Sequence, residues 1–224
     1  MREVIIFGAG KIAEVVHDYL TKDSDYRIAA FCVDAAFRNE DNLLGLPLVS
    51  FEDVSRLFAP DRFQMLMGLG YHECNSLRIR KSLEARHLGY CFATYVSSRA
   101  WVANNVSLTE GCILFDHVSV EPNAQVGCNA MLWSGAVVGH HARLGNHVWM
   151  AASSMVGGGA SLGEGSFLGL GAIVGHEVTL GQRCFVGANS FVGKDAADKS
   201  VLLSPEAVLH RLDVDHFFRF SDKL

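Results

Sequence analysis

Residues 132–150 read LWSGAVVGHHARLGNHVWM, with aliphatic side chains at Leu132, Val138, Leu144 and Met150, each six residues after the last. The spacing runs on in both directions. Every sixth residue from Val96 to Val192 is aliphatic, 17 in all, without one insertion. The position four residues after each holds only small or β-branched side chains, as at Ala124, Ala130, Ala136, Ala142 and Val148. Glycine follows the aliphatic residue at ten of these steps, Gly127, Gly139, Gly145 and Gly157 among them, where a tight corner is expected to need a residue without a Cβ. An amphipathic helix would place its apolar residues at i, i+3, i+4 and i+7, and this segment does not. A period of six instead makes one flat side of a triangular coil, and three sides complete an 18-residue turn. The aliphatic and small residues point inward, and neighbouring coils pair their backbones. A single coil cannot bury its own apolar face, so stability has to come from stacking. The repeats predict between five and six coils of parallel β-helix.

The bulk properties agree with a folded protein of one or two domains: 224 residues, 50% hydrophobic and 19% charged. A net charge of -5 argues against nucleic acid as the main partner. The six cysteines form no CxxC pair, and Cys112 and Cys184 fall at inward-facing repeat positions. They read as reduced packing cysteines of a cytosolic protein. MREVIIFGAG is too short an apolar run for a signal peptide, and no stretch approaches the roughly 18 apolar residues of a membrane span. The expected location is the cytoplasm.

Ahead of the repeats lies a different pattern. Val4 to Phe7 is a short apolar run, followed by Gly8-Ala9-Gly10-Lys11-Ile12-Ala13 and a helix-like stretch to Leu20. Ile28 to Val33 then reads as a second strand ending at Asp34. Strand, glycine turn, helix, strand and acid make the first βαβ unit of a Rossmann-like nucleotide-binding fold. Gly8 and Gly10 would let the backbone turn sharply and approach a phosphate at the helix N-terminus. A third strand, Met65 to Gly68, runs into Leu69-Gly70-Tyr71, and a helix is predicted over Asn75 to His87. The pattern also fits a nicotinamide-dependent enzyme, but only about 95 residues precede the repeats. That is room for one mononucleotide half rather than two.

A small Rossmann-like domain running directly into hexapeptide repeats, with the double histidine of residues 132–150, resembles the bacterial nucleotide-amino-sugar acyltransferases: the PglD-like and NeuD-like sugar acetyltransferases and the perosamine N-acetyltransferases. The resemblance covers nearly the whole chain. It implies an α/β domain over 1–94, an all-β left-handed parallel β-helix over 95–200 and a C-terminal tail, 201–224, packed on the last coil. Left-handedness runs against the usual crossover rule and rests on the resemblance alone. Also implied are a homotrimer with sites between subunits, acetyl-CoA along the β-helix, a sugar nucleotide on the N-terminal domain and no metal. The expected reaction is acetyl transfer to the amine of a nucleotide-linked amino-deoxy sugar for a surface polysaccharide or glycan.

By the same resemblance His140 is the general base, taking a proton from the attacking amine or hydroxyl and passing it to the CoA thiolate. Beside it stands His141, where PglD-like enzymes have a glutamate; either Asn123, 18 residues earlier and directly below His141, or a residue of the adjacent subunit is then expected to orient His140. His147 is expected at the thioester, and Gly157, Leu168 and Gly175 along the pantetheine arm. Gly8, Gly10, Lys11, Asp34, Gly68 and Tyr71 are the expected sugar-nucleotide contacts. Sugar O-acetylation and non-catalytic binding of a sugar nucleotide remain alternatives. A zinc carbonic anhydrase is a further one, suggested by His140 and His176 standing 36 residues apart; it lacks a third ligand because Gly181 occupies that position.

Overall fold

The computed structural model describes residues 2–221, with side chains from Glu3 to Arg219. The N-terminal unit is built on β1 (Arg2–Phe7), α1 (Lys11–Asp23), β2 (Tyr26–Val33), β3 (Asn42–Leu43) and β4 (Leu46–Ser50). It continues through α2 (Val54–Leu57), β5 (Phe63–Met67) and α3 (Ser76–His87). The sheet order is β3-β4-β2-β1-β5, parallel except for the β3–β4 hairpin at one edge. Val4 to Phe7 are all buried, as expected of a parallel strand covered on both faces. The hairpin turns at Leu44 and Gly45, both at positive φ, the backbone of a tight two-residue connection. Pro47 is tolerated because it lies opposite Asn42 on this short flank.

From Tyr95 onward the chain winds into three stacked parallel sheets. Face I carries six two-residue strands from Trp101–Val102 to Phe191–Val192, and face II five from Ser107–Leu108 to Thr179–Leu180. Face III carries seven, from Tyr95–Val96 to Val201–Leu202. Pairing joins residues 18 apart, as in Met131↔Trp149 and Val137↔Met155. The aliphatic column and the small-residue column together form one interior core, including Val138, Leu144, Met150, Ala136 and Ala142.

Each corner makes two separate demands on the backbone. The residue with left-handed backbone lies two places beyond the glycine position that follows the aliphatic residue: His117, Asn123, Asn129, His141, His147, Ser153, Glu177, Arg183 and Asn189, or glycine at 111, 135, 159, 165 and 171. Asn and His tolerate this region better than most residues. The glycine that follows the aliphatic residue stands where the corner has no room for a Cβ, as the repeat pattern predicts. A Cβ on Gly139 would lie 2.6 Å from the backbone N of Gly158, and one on Gly157 would lie 2.7 Å from that of His176. Bare Cα positions let each coil rest on the next.

The two units share a core. Ile113, Phe115, Met131, Trp149 and Phe167 on the outer side of face III pack with Val4, Ile6, Leu20, Phe31 and Leu66 in one buried cluster. The Asp23 carboxylate accepts hydrogen bonds from Ser98 N (2.9 Å) and Tyr95 Oη (2.8 Å), and hydrogen bonding from Ser98 first, then from Tyr95, pulls its pKa down to about 2. At the far end, Ser204 bonds to Ser190 Oγ and to the Asn189 carbonyl. Beyond it the tail leaves the coil: Val208 and Leu209 are exposed, and so are Phe217 and Phe218 of α4 (Val214–Ser221). The first residues of the tail pack on the last coil. Phe220's side chain and residues 222–224 lie outside the described residues.

Candidate active site

His140 stands at the corner between faces I and II, just after the strand Val137–Val138. Its own N–H donates to Glu121 Oε2 (3.2 Å), and its carbonyl accepts from Gly159 N–H (2.8 Å). The coil before it and the coil after it thus fix its backbone, while its side chain is open to solvent. One coil further on, Gly158 makes room for the ring: a Cβ there would lie 2.6 Å from both Cε1 and Nε2 of His140. The next coil brings His176, with its ring centroid 6.0 Å from that of His140. The N–H of Gly158 donates to no acceptor within the described residues, so a free donor sits beside the imidazole.

His141 takes the left-handed corner position with φ 61°, which turns its ring back toward His140. The two Nδ1 atoms are 3.2 Å apart. Its Nε2 meets Asn123 Nδ2 at 3.2 Å, and Asn123 Oδ1 accepts from Asn105 Nδ2 at 2.9 Å. A polar ladder therefore climbs this corner with an 18-residue step and ends on His140.

The other predicted site residues divide into two groups. Gly157 and Gly175 lie on the same corner column as His140, on later coils. Leu168 does not join them: its side chain is wholly buried inside the coil from face III, so only its backbone could meet a ligand. His147 is also separated from His140. It sits at the corner between faces II and III, buried under α3, with Nε2 3.5 Å from Ser82 Oγ. Burial first, then the charges of Arg78 and Arg86, push its pKa down to about 4. A ligand resting on the exposed corner of one chain meets His140 and not the His147 of that chain.

In the N-terminal unit the glycines mark close approaches. Gly8 has φ 129°, and a Cβ on it would lie 2.5 Å from the Gly68 carbonyl O. A Cβ on Gly68 would press on Ile6 Cγ2 at 2.8 Å and on Ala13 Cα at 3.0 Å. Gly10 caps α1 with no side-chain bond of its own, leaving first-turn N–H groups open for an anion, with exposed Lys11 beside them. The Asp34 carboxylate is held by Lys81 Nζ at 2.6 Å, and Lys81 also reaches Glu84 at 2.7 Å. Tyr71 leans across onto the β-helix, its ring 4.4 Å from Phe167 and 5.4 Å from Trp149. With Trp133, Phe185 and Leu170 these rings line an apolar cleft of about 420 Å³. The cleft lies on face III, away from His140's corner, so the exposed histidine and this apolar cleft of one chain are on different sides.

Gly158, Lys81 and Arg78 are not found by motif reading. Gly158 carries a signal all the same, as the middle of Gly157-Gly158-Gly159, 18 residues after His140. Arg78 and Lys81 sit on the helix predicted over 75–87, where nothing distinguishes them from solvated surface charges. Among the described residues no three His, Cys, Asp or Glu side chains are arranged to hold a metal ion, and no helix is long and apolar enough to cross a membrane.

The stacked coils make this a hexapeptide-repeat protein, with an exposed histidine against a glycine at one corner. Residues 159–194 and 177–201 match the hexapeptide repeat of succinyl-transferase. Perosamine N-acetyltransferase from Caulobacter crescentus, solved with CoA and GDP-perosamine, is 28% identical, with a TM-score of 0.81 over 91% of this chain and 94% of that one. Its solved forms include two variants in which a histidine is replaced, one by asparagine and one by alanine. The acetyltransferase domain of PglB from Neisseria gonorrhoeae (20% identity, TM-score 0.79, 93% and 100% covered) and WeeI from Acinetobacter baumannii (18%, 0.77, 93% and 100%) share the fold. No curated protein sequence is similar enough to count as a relative.

Proposed function

We propose that the protein transfers an acetyl group from acetyl-CoA to the amino group of a nucleotide-linked amino-deoxy sugar. The observation that carries this is the ring of His140 lying against Gly158 beside an unused N–H, in a chain 28% identical to an enzyme solved with CoA and GDP-perosamine. The amine attacks the thioester carbonyl, and His140 takes the proton the nitrogen loses and gives it to the departing thiolate. The free N–H of Gly158 would donate to the oxyanion of the tetrahedral intermediate. Gly157 and Gly175, on the same corner, would flank the pantetheine arm. Leu168 would serve only as core, and His147 only from a different chain.

The likeness supports a left-handed coil, a Rossmann-like role for the first sheet and a division near residues 94 and 200. It also supports sugar-nucleotide contacts from Gly8, Gly10, Lys11, Asp34, Gly68 and Tyr71. Those loops and His140 lie on opposite sides of one chain, which favours a homotrimer whose sites combine two subunits. We place the enzyme in the cytoplasm, where acetyl-CoA and sugar nucleotides meet.

The test is release of CoA thiol from acetyl-CoA with UDP-, dTDP- and GDP-linked amino sugars. His140→Ala is expected to lower turnover by roughly two to four orders of magnitude with the fold intact. Near-wild-type turnover in that variant would refute the assignment.

A further inference from the structure

The polarity of the ladder below His140 can be worked out bond by bond. Asn105 is anchored first: its Oδ1 accepts the backbone N–H of Asn123 at 3.3 Å, so its Nδ2 is the group that donates to Asn123 Oδ1 at 2.9 Å. Asn123 must then present Nδ2 to His141 Nε2 at 3.2 Å. A ring nitrogen that accepts carries no proton, so neutral His141 is protonated at Nδ1. That N–H points at His140 Nδ1, 3.2 Å away, which accepts in its turn. Neutral His140 is therefore protonated at Nε2, the atom that lies against Gly158. A nitrogen that already holds a proton cannot remove one from an amine.

We propose that Asn105 and Asn123 are positioning residues that set the tautomer of His140. They hold it as the Nε2–H form in the resting enzyme, so that transfer waits on reversal of the chain. This rests on the reading of His140 as the base. Reversal conserves protons. His140 gives up its Nε2 proton to water and takes the His141 Nδ1 proton at its own Nδ1, water returns a proton to His141 at Nε2, and Asn123 turns its Oδ1 toward His141. The turned amide then faces Asn105 donor to donor, and the loss of that one bond is what disfavours the base-competent state.

Two variants separate this from passive support. Asn123→Asp keeps a residue that tolerates the left-handed backbone (φ 63°) and offers His141 an acceptor at all times. Asn105→Ala frees the Asn123 amide to turn. Both are expected to raise catalytic efficiency, by roughly 2- to 10-fold for one exposed hydrogen bond. The direct readout is ¹⁵N NMR of the imidazoles in mildly alkaline buffer, with His140 assigned by difference against His140→Gln. Wild type is expected to show a bare Nδ1 and a protonated Nε2, and Asn123→Asp the reverse. A protonated Nδ1 in wild type, or lower activity in both variants with an unmoved tautomer, would overturn the proposal. If wild type acetylates no amino sugar, the acetyltransferase reading fails, while the NMR result still decides the tautomer.

Discussion

Gly158→Ala is a probe of catalytic geometry that should leave the fold alone. Its φ is not in the left-handed region, and the atoms an alanine methyl would meet belong to the exposed His140 ring rather than to backbone. The new Cβ would lie 2.6 Å from Cε1 and Nε2, while ordinary contact begins near 3.4 Å, so the imidazole must retreat by about 0.8 Å. A misplacement of about 1 Å can lower a rate on the order of 100-fold. Turnover is therefore expected to drop by roughly one and a half to two orders of magnitude, equivalent to roughly 2 to 3 kcal/mol of transition-state stabilisation, with an unchanged melting temperature. The assay is thiol release at saturating acetyl-CoA, with thermal unfolding recorded alongside. Gly157→Ala is the control, because its Cβ would meet the backbone N of His176 at 2.7 Å and the carbonyl C of Gly175 at 2.8 Å. There the coil itself must part, and a stability loss of about 1 to 3 kcal/mol is expected. Full activity in a folded Gly158→Ala would refute the claim that the ring works from its position against this glycine.

Three further outcomes follow from buried and paired charges. His147 protonates near pH 4 in the folded chain against about 6.5 when unfolded, so the unfolded state binds the extra proton between those values. Stability should fall as pH drops through that window, by up to about 3 kcal/mol; urea titrations of His147→Asn, which suits the corner's φ of 59°, should show a flatter slope, and an unchanged slope would refute this. Arg78 is fully buried and has no carboxylate partner among the described residues; it donates to the Asn129 carbonyl at 2.8 Å and lies over the Trp149 ring at 5.5 Å, and burial pushes its pKa down to about 10. Arg78→Met should be neutral or stabilising by about 1 to 3 kcal/mol in thermal unfolding, and a marked loss would contradict the reading. If Asp34 contacts the nucleotide, Asp34→Asn should raise KM for the sugar nucleotide roughly tenfold or more and leave KM for acetyl-CoA alone.

The β-helix is legible because each inward position is specified locally by size and period, six residues at a time. Its corners are less so. The demand for glycine at 139 or 157 comes from the coil stacked above, 18 residues away in sequence, and the left-handed residues at 141 and 147 are histidines that single-residue reasoning treats as chemistry. Of those two, His141 does face His140, whereas His147 is turned under α3. Nothing in the spacing of HHARLGNH separates them, since both occupy equivalent corner positions and only the packing of the N-terminal unit distinguishes one corner from the other. The β3–β4 hairpin is hard to see in the sequence because its strands are short and Pro47 breaks the apolar run. Lys81 is hard to see for the opposite reason, a long-range partner at Asp34, 47 residues away.

What fixes one unit on the other also fixes where a site can form. Helix α3 runs along the corner between faces II and III: Asn75 bonds to the Gly165 carbonyl, Ser82 faces His147, and Arg86 pairs with Glu110 at 2.7 Å. Its sequence therefore advances as the coils recede. An α-helix rises about 5.4 Å per turn, and stacked strands are about 4.8 Å apart, so one turn of α3 nearly matches one coil. Over three turns the mismatch reaches only about 2 Å, a distance the long side chains of Arg78 and Arg86 span. The aromatic column Trp149, Phe167 and Phe185 on face III gives the same unit a second fixed contact through Tyr71. A helix keyed to one corner and a sheet packed on one face hold the N-terminal unit on the face III side of the coil. Its glycine loops at 8–10 and 68–70 open on the face III side, and His140 looks out from the opposite corner. A site shared between two copies is the arrangement that the proposed homotrimer would supply.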